Sequence, residues 1–439
     1  MRIVIIGNGI AGITAALGIR RQRPEWRIQV ISGESDYFFS RPALMYLFMG
    51  QMRLDDVKPY EDWFWEHQRI ERVRAWITHV DTANRELQTR GGEKIPYDKL
   101  IVATGAVPNK FGWPGQDLEG VQGMVSLQDL ESIERAMPDL KHAVIVGGGL
   151  IGVELAEMLH ARGVGVTMLA REPAYWINAM PEGEALMVGE VIRADGIELC
   201  LECELDEILD DGLGRVGGVT TVDGRRIDCQ FVGLTAGVRP NLSALQDSDI
   251  ATGRGVQVDR SFRSTSTEEV YAIGDCAEIV TPEGERNRIE ALWYTGRMHG
   301  EVAADVICGA ERTYDRGVLF NSAKFVDLEW HTYGQVSPGV GPPLVEGEQH
   351  IYWEHADRRH SLRLIHLDGA LIGLNAMGLR YRHRVCERWI AEQRTVDYVL
   401  DHLREGCFDP ELYRRYGCDE RRGGDSCIGP HQRRCACGR

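Results

Sequence analysis

The sequence has no apolar run approaching the roughly 20 residues that a membrane-spanning helix requires. It also leaves no room for a cleavable leader, because the strand-like segment Arg2–Ile6 begins at the second residue. Basic residues are in the minority, with 50 lysines and arginines against 66 acids, which argues against general nucleic-acid binding. We therefore expect a soluble, cytoplasmic protein with no membrane span and no nucleic acid among its partners.

Cysteine is not rare, but the spacing typical of a secreted disulfide framework or of a two-pair zinc site is missing. Most of the 11 cysteines are expected to be core residues or free thiols. Five of them crowd the C-terminal end together with His431, namely Cys407, Cys418, Cys427, Cys435 and Cys437. We predict no metal site and an unstructured tail over residues 411–439, with a zinc or iron–sulfur site as the alternative.

Lysine is absent from Arg358 to the C-terminus, whereas 16 arginines and 11 acids occur there. The segment is therefore basic in a chain whose net charge is −16, and its densest part is Arg380–Arg384. Such an asymmetry is typical of an interaction surface, although a solvated helix face gives the same pattern.

Two glycine-rich turns each follow an apolar strand and open a helix, as the dinucleotide-binding fingerprint requires. The first, Gly7–Gly12, follows Arg2–Ile6, and the second, Gly147–Gly152, follows His142–Val146. The first glycine of each makes the tight turn, the second admits a pyrophosphate to backbone N–H groups, and the third lets the helix pack on its strand. These six positions are Gly7, Gly9, Gly12, Gly147, Gly149 and Gly152. Two nucleotides are therefore predicted.

Further candidates lie at or just beyond the carboxyl ends of predicted strands, where open α/β sheets bind ligands. Glu34 stands about 20 residues beyond the first turn, where an acid accepts hydrogen bonds from ribose hydroxyls. The other candidates at strand ends are Thr104, Gly105, Gly237, Gly274 and Asp275.

Four motifs, Gly7–Gly12, Ala103–Gly105, Gly147–Glu154 and Ala272–Asp275, resemble in order and spacing those of the two-dinucleotide-binding-domain flavoproteins. The resemblance implies an α/β fold of two Rossmann-like domains, with the NAD(P)H domain inserted in the FAD domain, and a C-terminal α+β interface domain. The expected limits are 1–113 and 246–313 for the FAD domain, 114–245 for the NAD(P)H domain, 314–410 for the interface domain and 411–439 for the tail.

The resemblance also implies roles for individual residues on the FAD side. FAD would bind to Gly7, Gly9, Gly12 and Glu34, with Asp275 near the ribityl chain. Ser40–Leu44 is similar to the Arg-Pro stretch of ferredoxin and rubredoxin reductases, nitrite reductase flavin modules and apoptosis-inducing factor relatives. In those proteins the stretch lines FAD, which assigns Arg41 and Pro42 to the flavin site. Tyr46 stands where these relatives often have a lysine.

Two more positions follow from the resemblance. Glu154 matches a family glutamate near the nicotinamide, and it is the candidate catalytic residue, although a surface glutamate would look the same. Trp293 falls where the family often has an aromatic residue beside the flavin ring, although a core aromatic residue is equally consistent with the sequence.

No cysteine occurs between Ser32 and Asp62, where disulfide reductases carry two and thiol-based peroxidases and water-forming NADH oxidases carry one. The remaining chemistry is hydride transfer from a nicotinamide to FAD. The electrons would then pass to a ferredoxin- or rubredoxin-like protein, or to a partner subunit, docked on the basic C-terminal region. The alternatives are a quinone reductase of the type II NADH dehydrogenase kind, a non-catalytic redox-sensing flavoprotein and a flavin subunit of a larger complex. A homodimer is compatible with the resemblance.

The choice of nucleotide depends on the residues after the predicted strand Gly165–Leu169. Ala170 stands where relatives that prefer NAD have an acid, and Arg171 follows it. Because an arginine can pair with the 2′-phosphate, the sequence predicts NADPH, whereas Glu172 weakens this prediction.

Overall fold

The computed structural model describes residues 1–282 and 286–408. The predicted tail, residues 411–439, lies outside these ranges, and so do His431 and the four cysteines beyond Cys407.

The strands are β1 (Arg2–Ile6), β2 (Arg27–Ser32), β3 (Ile70–Arg74), β4 (Ile77–Asp81), β5 (Glu86–Thr89), β6 (Lys94–Pro96), β7 (Lys99–Val102), β8 (Ala106–Pro108), β9 (Val121–Gln122), β10 (His142–Val146), β11 (Gly165–Leu169), β12 (Glu198–Cys200), β13 (Leu205–Asp210), β14 (Val216–Thr221), β15 (Arg226–Ile227), β16 (Phe231–Leu234), β17 (Val238–Pro240), β18 (Val256–Val258), β19 (Val270–Ala272), β20 (Ala277–Ile279), β21 (Phe320–Phe325), β22 (Leu328–Gly334), β23 (Gln349–Glu354), β24 (Ser361–Leu367) and β25 (Ala370–Met377). The α-helices are α1 (Ile10–Gln22), α2 (Leu44–Phe48), α3 (Asp62–His67), α4 (Leu127–Ala136), α5 (Leu150–Ala161), α6 (Glu182–Ala194), α7 (Trp293–Ile307), α8 (His383–Ala391), α9 (Val396–Asp401) and α10 (Leu403–Gly406). Short 3₁₀ helices are formed by Arg41–Ala43, Leu54–Val57, Met137–Asp139, Ser243–Leu245 and Gly274–Cys276.

The first sheet is parallel and has the strand order β19-β7-β1-β2-β3. Its central strands are almost continuously apolar and buried, which is typical of a parallel sheet covered on both faces. Helices α1 and α7 pack closely because small residues meet between them. A Cβ built on Gly300 would lie 2.5 Å from the carbonyl oxygen of Ala11, and one on Gly18 would lie 2.6 Å from the Cβ of Ala304.

The second sheet repeats this plan, with five parallel strands in the order β12-β11-β10-β16-β9. The chain leaves the first sheet after β7 through β8, forms the second sheet and returns through β17, which pairs antiparallel with β8. It then adds β19 to the edge of the first sheet beside β7. The second nucleotide-binding unit is thus inserted in the first, which confirms the predicted fold.

The C-terminal part is an antiparallel sheet with the order β21-β22-β25-β24-β23, and α8 packs against it. The expected domain limits at residues 113, 245 and 313 all fall outside the strands of the three sheets, and they stay a prediction.

A buried polar network joins the C-terminal sheet to α6. Glu184 is fully buried, and its carboxylate accepts two hydrogen bonds of 2.8 Å from Arg363 and one of 3.1 Å from Asn375. Trp330 donates its indole N–H to Asn375 at 2.6 Å. Because a buried carboxylate is stable only when it is paired and hydrogen-bonded, this network fixes where the C-terminal sheet lies on α6.

No helix in the described ranges is both long and apolar enough to cross a membrane.

Candidate dinucleotide-binding sites

The first glycine turn joins β1 to α1. Gly7 has a φ of +111°, and a Cβ there would lie 2.1 Å from the carbonyl oxygen of Ala103. A Cβ on Gly12 would lie 2.2 Å from the carbonyl oxygen of Gly7, so close packing requires glycine at both positions. A Cβ on Gly9 would meet nothing within 4 Å. The open space at the N-terminus of α1 is therefore available for a pyrophosphate, as the fingerprint requires.

Asn8 was not among the residues predicted from the sequence, and its side chain anchors this turn through hydrogen bonds. Its amide donates to the carbonyl oxygen and to the hydroxyl of Ser35 at 3.0 Å, and to the carbonyl oxygen of Tyr37 at 2.9 Å. It thereby ties the glycine turn to the loop after β2. In the sequence, the signal for Asn8 was its position between two glycines.

Glu34 lies just beyond β2, and its carboxylate is already engaged by protein groups. Arg41 donates to both carboxylate oxygens, at 2.9 and 2.7 Å, and the backbone N–H of Leu127 donates at 3.0 Å. Arg41 also donates to the carbonyl oxygen of Val125. The two predicted FAD residues therefore meet in one ion pair, beside the 3₁₀ turn that contains Pro42. A carboxylate has about four acceptor sites, so Glu34 can still accept a ribose hydroxyl.

Among the other candidates at strand ends, Gly274 lies against the first glycine turn. Gly274 has a φ of +72°, and a Cβ there would lie 3.1 Å from the Cβ of Ala11 in α1. Gly105 and Gly237 have φ values of +68° and +84°, and Thr104 donates its hydroxyl to the carbonyl oxygen of Asn241 at 2.7 Å. Except for Thr104, these positions therefore use glycine for its left-handed backbone.

Asp275 follows Gly274 in a short 3₁₀ helix. Burial raises the pKa of its carboxyl group above the ordinary value, while the charges of Arg41 and His299 act in the opposite direction. Asp275 thus directly follows the glycine that packs against the first glycine turn.

A buried histidine on α7 holds this segment through a hydrogen bond, and it was not predicted from the sequence. His299, on α7, is fully buried, and its Nδ1 accepts the backbone N–H of Gly274 at 3.2 Å. The proton of a neutral imidazole is then on Nε2, which lies 3.7 Å from a carboxylate oxygen of Glu290. Tyr314 donates its hydroxyl to the same oxygen at 2.5 Å.

Trp293 begins α7, whose first turns adjoin the first glycine turn, since a Cβ on Gly296 would lie 3.4 Å from the side chain of Ile10. The indole remains 37% exposed, and it packs edge-on against Tyr294 at 5.5 Å between ring centroids. A buried core role for Trp293 is therefore excluded.

The second glycine turn has the same geometry as the first. A Cβ on Gly147, where φ is +125°, would lie 2.7 Å from the backbone of Thr235, and one on Gly152 would lie 2.6 Å from the carbonyl oxygen of Gly147. Gly149 again faces open space, since the nearest atom to a Cβ there is the indole nitrogen of Trp176 at 4.0 Å. Tyr175 donates its hydroxyl to the carbonyl oxygen of Gly149 at 2.7 Å.

Glu154 lies on α5, one turn beyond the glycines. Burial, with a smaller contribution from the charge of Glu157, raises the pKa of its carboxyl group to about 7. Glu157 is itself paired with Lys324 of the C-terminal sheet at 2.8 Å. Glu154 is therefore a carboxyl group that changes its charge near neutral pH, a property common in functional sites.

Arg171 and Glu172 follow β11 and form an ion pair of 2.9 Å. The Arg171 side chain is 72% exposed, whereas Glu172 is 18% exposed and also accepts a 2.8 Å hydrogen bond from Asn178. A Glu172 carboxylate oxygen lies 3.8 Å from a Cβ built on Gly148. The acid, rather than the arginine, therefore stands beside the glycine turn.

The seven cysteines in the described ranges are free thiols. Cys276 is fully buried, its thiol lies within hydrogen-bonding distance of two backbone carbonyl oxygens, and burial raises its pKa. Cys200 and Cys203 are spaced as a CxxC pair, but they lie at the edge of the second sheet, and burial raises the pKa of both. None of these groups has the depressed pKa of a reactive thiol.

His355, Asp357 and His360 come together in the turn between β23 and β24, with their candidate ligand atoms within 4.8 Å of one another. Asp357 lies 3.0 Å from His355 and 2.8 Å from His360, at hydrogen-bonding distance of both imidazoles. These contacts account for the cluster without a metal ion.

The comparisons with known proteins agree with this geometry. The family model described as pyridine nucleotide-disulphide oxidoreductase matches residues 1–300. The chain belongs to this family. The predicted resemblance is thereby confirmed, and so is the class of oxidoreductase that uses FAD and NAD(P)H.

Three curated relatives illustrate the range of the family. A 5,5′-dehydrodivanillate O-demethylase ferredoxin reductase subunit of Sphingobium sp. is 33% identical over 342 residues, covering 75% of this chain and 81% of the relative. A rubredoxin-NAD(+) reductase of Ectopseudomonas oleovorans is 28% identical over 312 residues, or 70% of this chain and 80% of the relative. Nitrite reductase [NAD(P)H] of Bacillus subtilis is 29% identical over 337 residues, covering 76% of this chain but 41% of that longer protein.

Among solved structures, the ferredoxin reductase for the CYP199A2 system of Rhodopseudomonas palustris superposes with a TM-score of 0.76 at 24% identity. The match covers 86% of this chain and 91% of that one, which shows a shared fold.

The ionisation of Glu154 gives a test of its position. If Glu154 lies beside the nicotinamide, the rate of flavin reduction by saturating NADH changes with pH around about 7, because the carboxyl group is neutral below this pH and charged above it. Glu154→Gln removes this inflection. Glu157→Gln moves it to lower pH, since a neighbouring negative charge is lost. Stopped-flow reduction across this pH range measures both effects, and an inflection that persists in Glu154→Gln contradicts the assignment.

Proposed function

We propose that this protein takes electrons from NADH and passes them, through FAD, to a small acidic iron–sulfur protein of the ferredoxin or rubredoxin kind. The observation that carries the proposal is the pair of glycine turns, each open at its second glycine, with no thiol in the 32–62 segment beside the first turn. Bound FAD supplies the conversion of a two-electron hydride into single electrons. The names of the ferredoxin and rubredoxin reductases among the relatives support this acceptor class.

In this proposal, the protein residues hold and orient the two nucleotides. Arg41, Glu34 and Asp275 would fix the FAD, whereas Glu154 would set the charge beside the nicotinamide. Catalysis would then depend on the alignment of the two rings, with no side chain acting as a nucleophile.

The docking surface is proposed to lie at the start of α8. Most arginines of the described C-terminal part are paired with acids, among them Arg363, Arg380 and Arg394. Within residues 358–408, the arginines without a described carboxylate partner are Arg382, Arg384 and Arg404, and all three are exposed.

Aromatic rings connect this basic surface to the start of α7. Tyr294 packs on Phe320 at 4.8 Å between ring centroids, and Phe320 packs on the ring of His383 at 4.3 Å. Arg382 and Arg384 flank His383 in the sequence. An acidic carrier bound here would be close to the helix that adjoins the first glycine turn.

The nucleotide is proposed to be NADH. Glu172 stands beside the second glycine turn, where its carboxylate would accept the ribose hydroxyls and repel a 2′-phosphate. Arg171, on which the prediction of NADPH was based, is turned to solvent and paired with Glu172. The rubredoxin-NAD(+) reductase name among the relatives points in the same direction.

The docking proposal predicts that Arg382→Ala/Arg384→Ala raises KM for an acidic ferredoxin by roughly tenfold, because two unpaired charges are lost. The salt dependence of turnover also becomes flatter, while the rate with ferricyanide stays unchanged. Arg394→Ala, which removes an arginine paired with Glu392, serves as the matched control. A ferredoxin rate in the native protein that ignores ionic strength contradicts this docking surface.

The nucleotide proposal predicts a higher kcat/KM for NADH than for NADPH. Glu172→Gln lowers this preference by about tenfold, since the repulsion of the 2′-phosphate is removed. Arg171→Ala does not reduce NADPH activity selectively. The proposal is wrong if NADPH is preferred and Arg171→Ala abolishes that preference.

A further inference from the structure

Trp176 lies against the second glycine turn and has two N–H donors there, one on its backbone and one on its indole ring. Its indole nitrogen is 4.0 Å from a Cβ built on Gly149, and its backbone nitrogen is 3.8 Å from a Cβ built on Gly148. Within residues 1–282 and 286–408, neither N–H group donates a hydrogen bond to a protein acceptor. The indole donor therefore lies beside the open glycine, Gly149, and the backbone donor lies beside its neighbour Gly148.

The backbone of Trp176 is unusual as well. Its φ is +58°, in the left-handed region that bulky residues seldom adopt. Such a conformation persists where the surroundings require it. Glycine would adopt this conformation without strain. The presence of a tryptophan is therefore explained by its indole ring and not by its backbone conformation.

The indole is held by the C-terminal sheet. Its ring packs against Trp330 at 5.2 Å and against Phe325 at 5.7 Å between centroids. Trp330 in turn donates to Asn375, which donates to the buried carboxylate of Glu184. The position of the indole beside the turn therefore depends on how this sheet lies on α6.

We infer that the indole N–H of Trp176 donates a hydrogen bond to the pyrophosphate of the bound nicotinamide dinucleotide. The C-terminal sheet thereby supports the second nucleotide site by packing on the indole. Oriented N–H groups at a glycine turn form an anion-binding concavity, and the indole adds a further donor to it. The inference deepens the proposed function, because it names a residue that binds the same nucleotide.

The test compares the FAD-containing native protein with Trp176→Phe, which keeps an aromatic ring and loses the N–H group. Two probes are used, namely ADP-ribose, which carries the pyrophosphate without the nicotinamide, and NADH. Binding of ADP-ribose is measured by calorimetry, and flavin reduction by NADH is measured anaerobically. The flavin spectrum and the unfolding midpoint verify that each variant is folded.

We expect Trp176→Phe to bind ADP-ribose and NADH each about tenfold more weakly, since a hydrogen bond to a charged group is lost. The reduction rate at saturating NADH stays unchanged. Trp330→Phe, which loosens the support of the indole but keeps its N–H group, weakens ADP-ribose binding by less than Trp176→Phe does.

Unchanged affinity for ADP-ribose in Trp176→Phe overturns the inference, and so does an equal loss in Trp330→Phe, because packing alone would then explain the effect. A native protein that fails to bind ADP-ribose overturns it as well. If the native protein binds ADP-ribose through Trp176 but its flavin is not reduced by NADH, the proposed function fails while this inference holds.

Discussion

The contact of backbone with backbone at the two glycine turns is the constraint on which the rest of the structure depends. At Gly7 and Gly12, a Cβ would lie 2.1 and 2.2 Å from carbonyl oxygens, so neither position accepts any other residue without movement of the chain. This close packing sets each helix directly behind its strand and directs the helix N-terminus at the space beside the second glycine. The same steric exclusion at Gly147 and Gly152 creates a second site of the same shape.

The first, second and C-terminal sheets are then joined by contacts that are remote in sequence. The pairing of β8 with β17 closes the inserted unit, and Glu184 with Arg363 fixes the C-terminal sheet on α6. Because breaking a buried ion pair leaves an uncompensated charge, this junction resists separation. Its effect extends to the second glycine turn, since Trp330 supports Trp176 there. The C-terminal sheet is thus part of the account of nucleotide binding as well as of docking.

The glycine turns could be predicted from the sequence, because a short local pattern specifies the strand, the turn and the helix together. The insertion and the family followed from the resemblance of four motifs in their order and spacing. The pairing of Glu34 with Arg41 could not, since nothing in the sequence orients the two side chains toward each other. Trp176 was missed for a similar reason, as its role arises from contacts with a sheet about 150 residues away. Arg171 could be singled out from the sequence, but the direction of its side chain could not be predicted, because the ion pair with Glu172 determines it.

Anaerobic mixing of the FAD-containing protein with NADH, in the absence of any acceptor, tests the central claim most directly. The account predicts rapid loss of the oxidised flavin absorbance in the native protein. It also predicts much weaker NADH binding in Gly149→Ala, with FAD retained, because the added Cβ enters open space at the nucleotide site without a clash in the protein. Purified protein without flavin, or flavin that stays oxidised with both NADH and NADPH, would contradict the account.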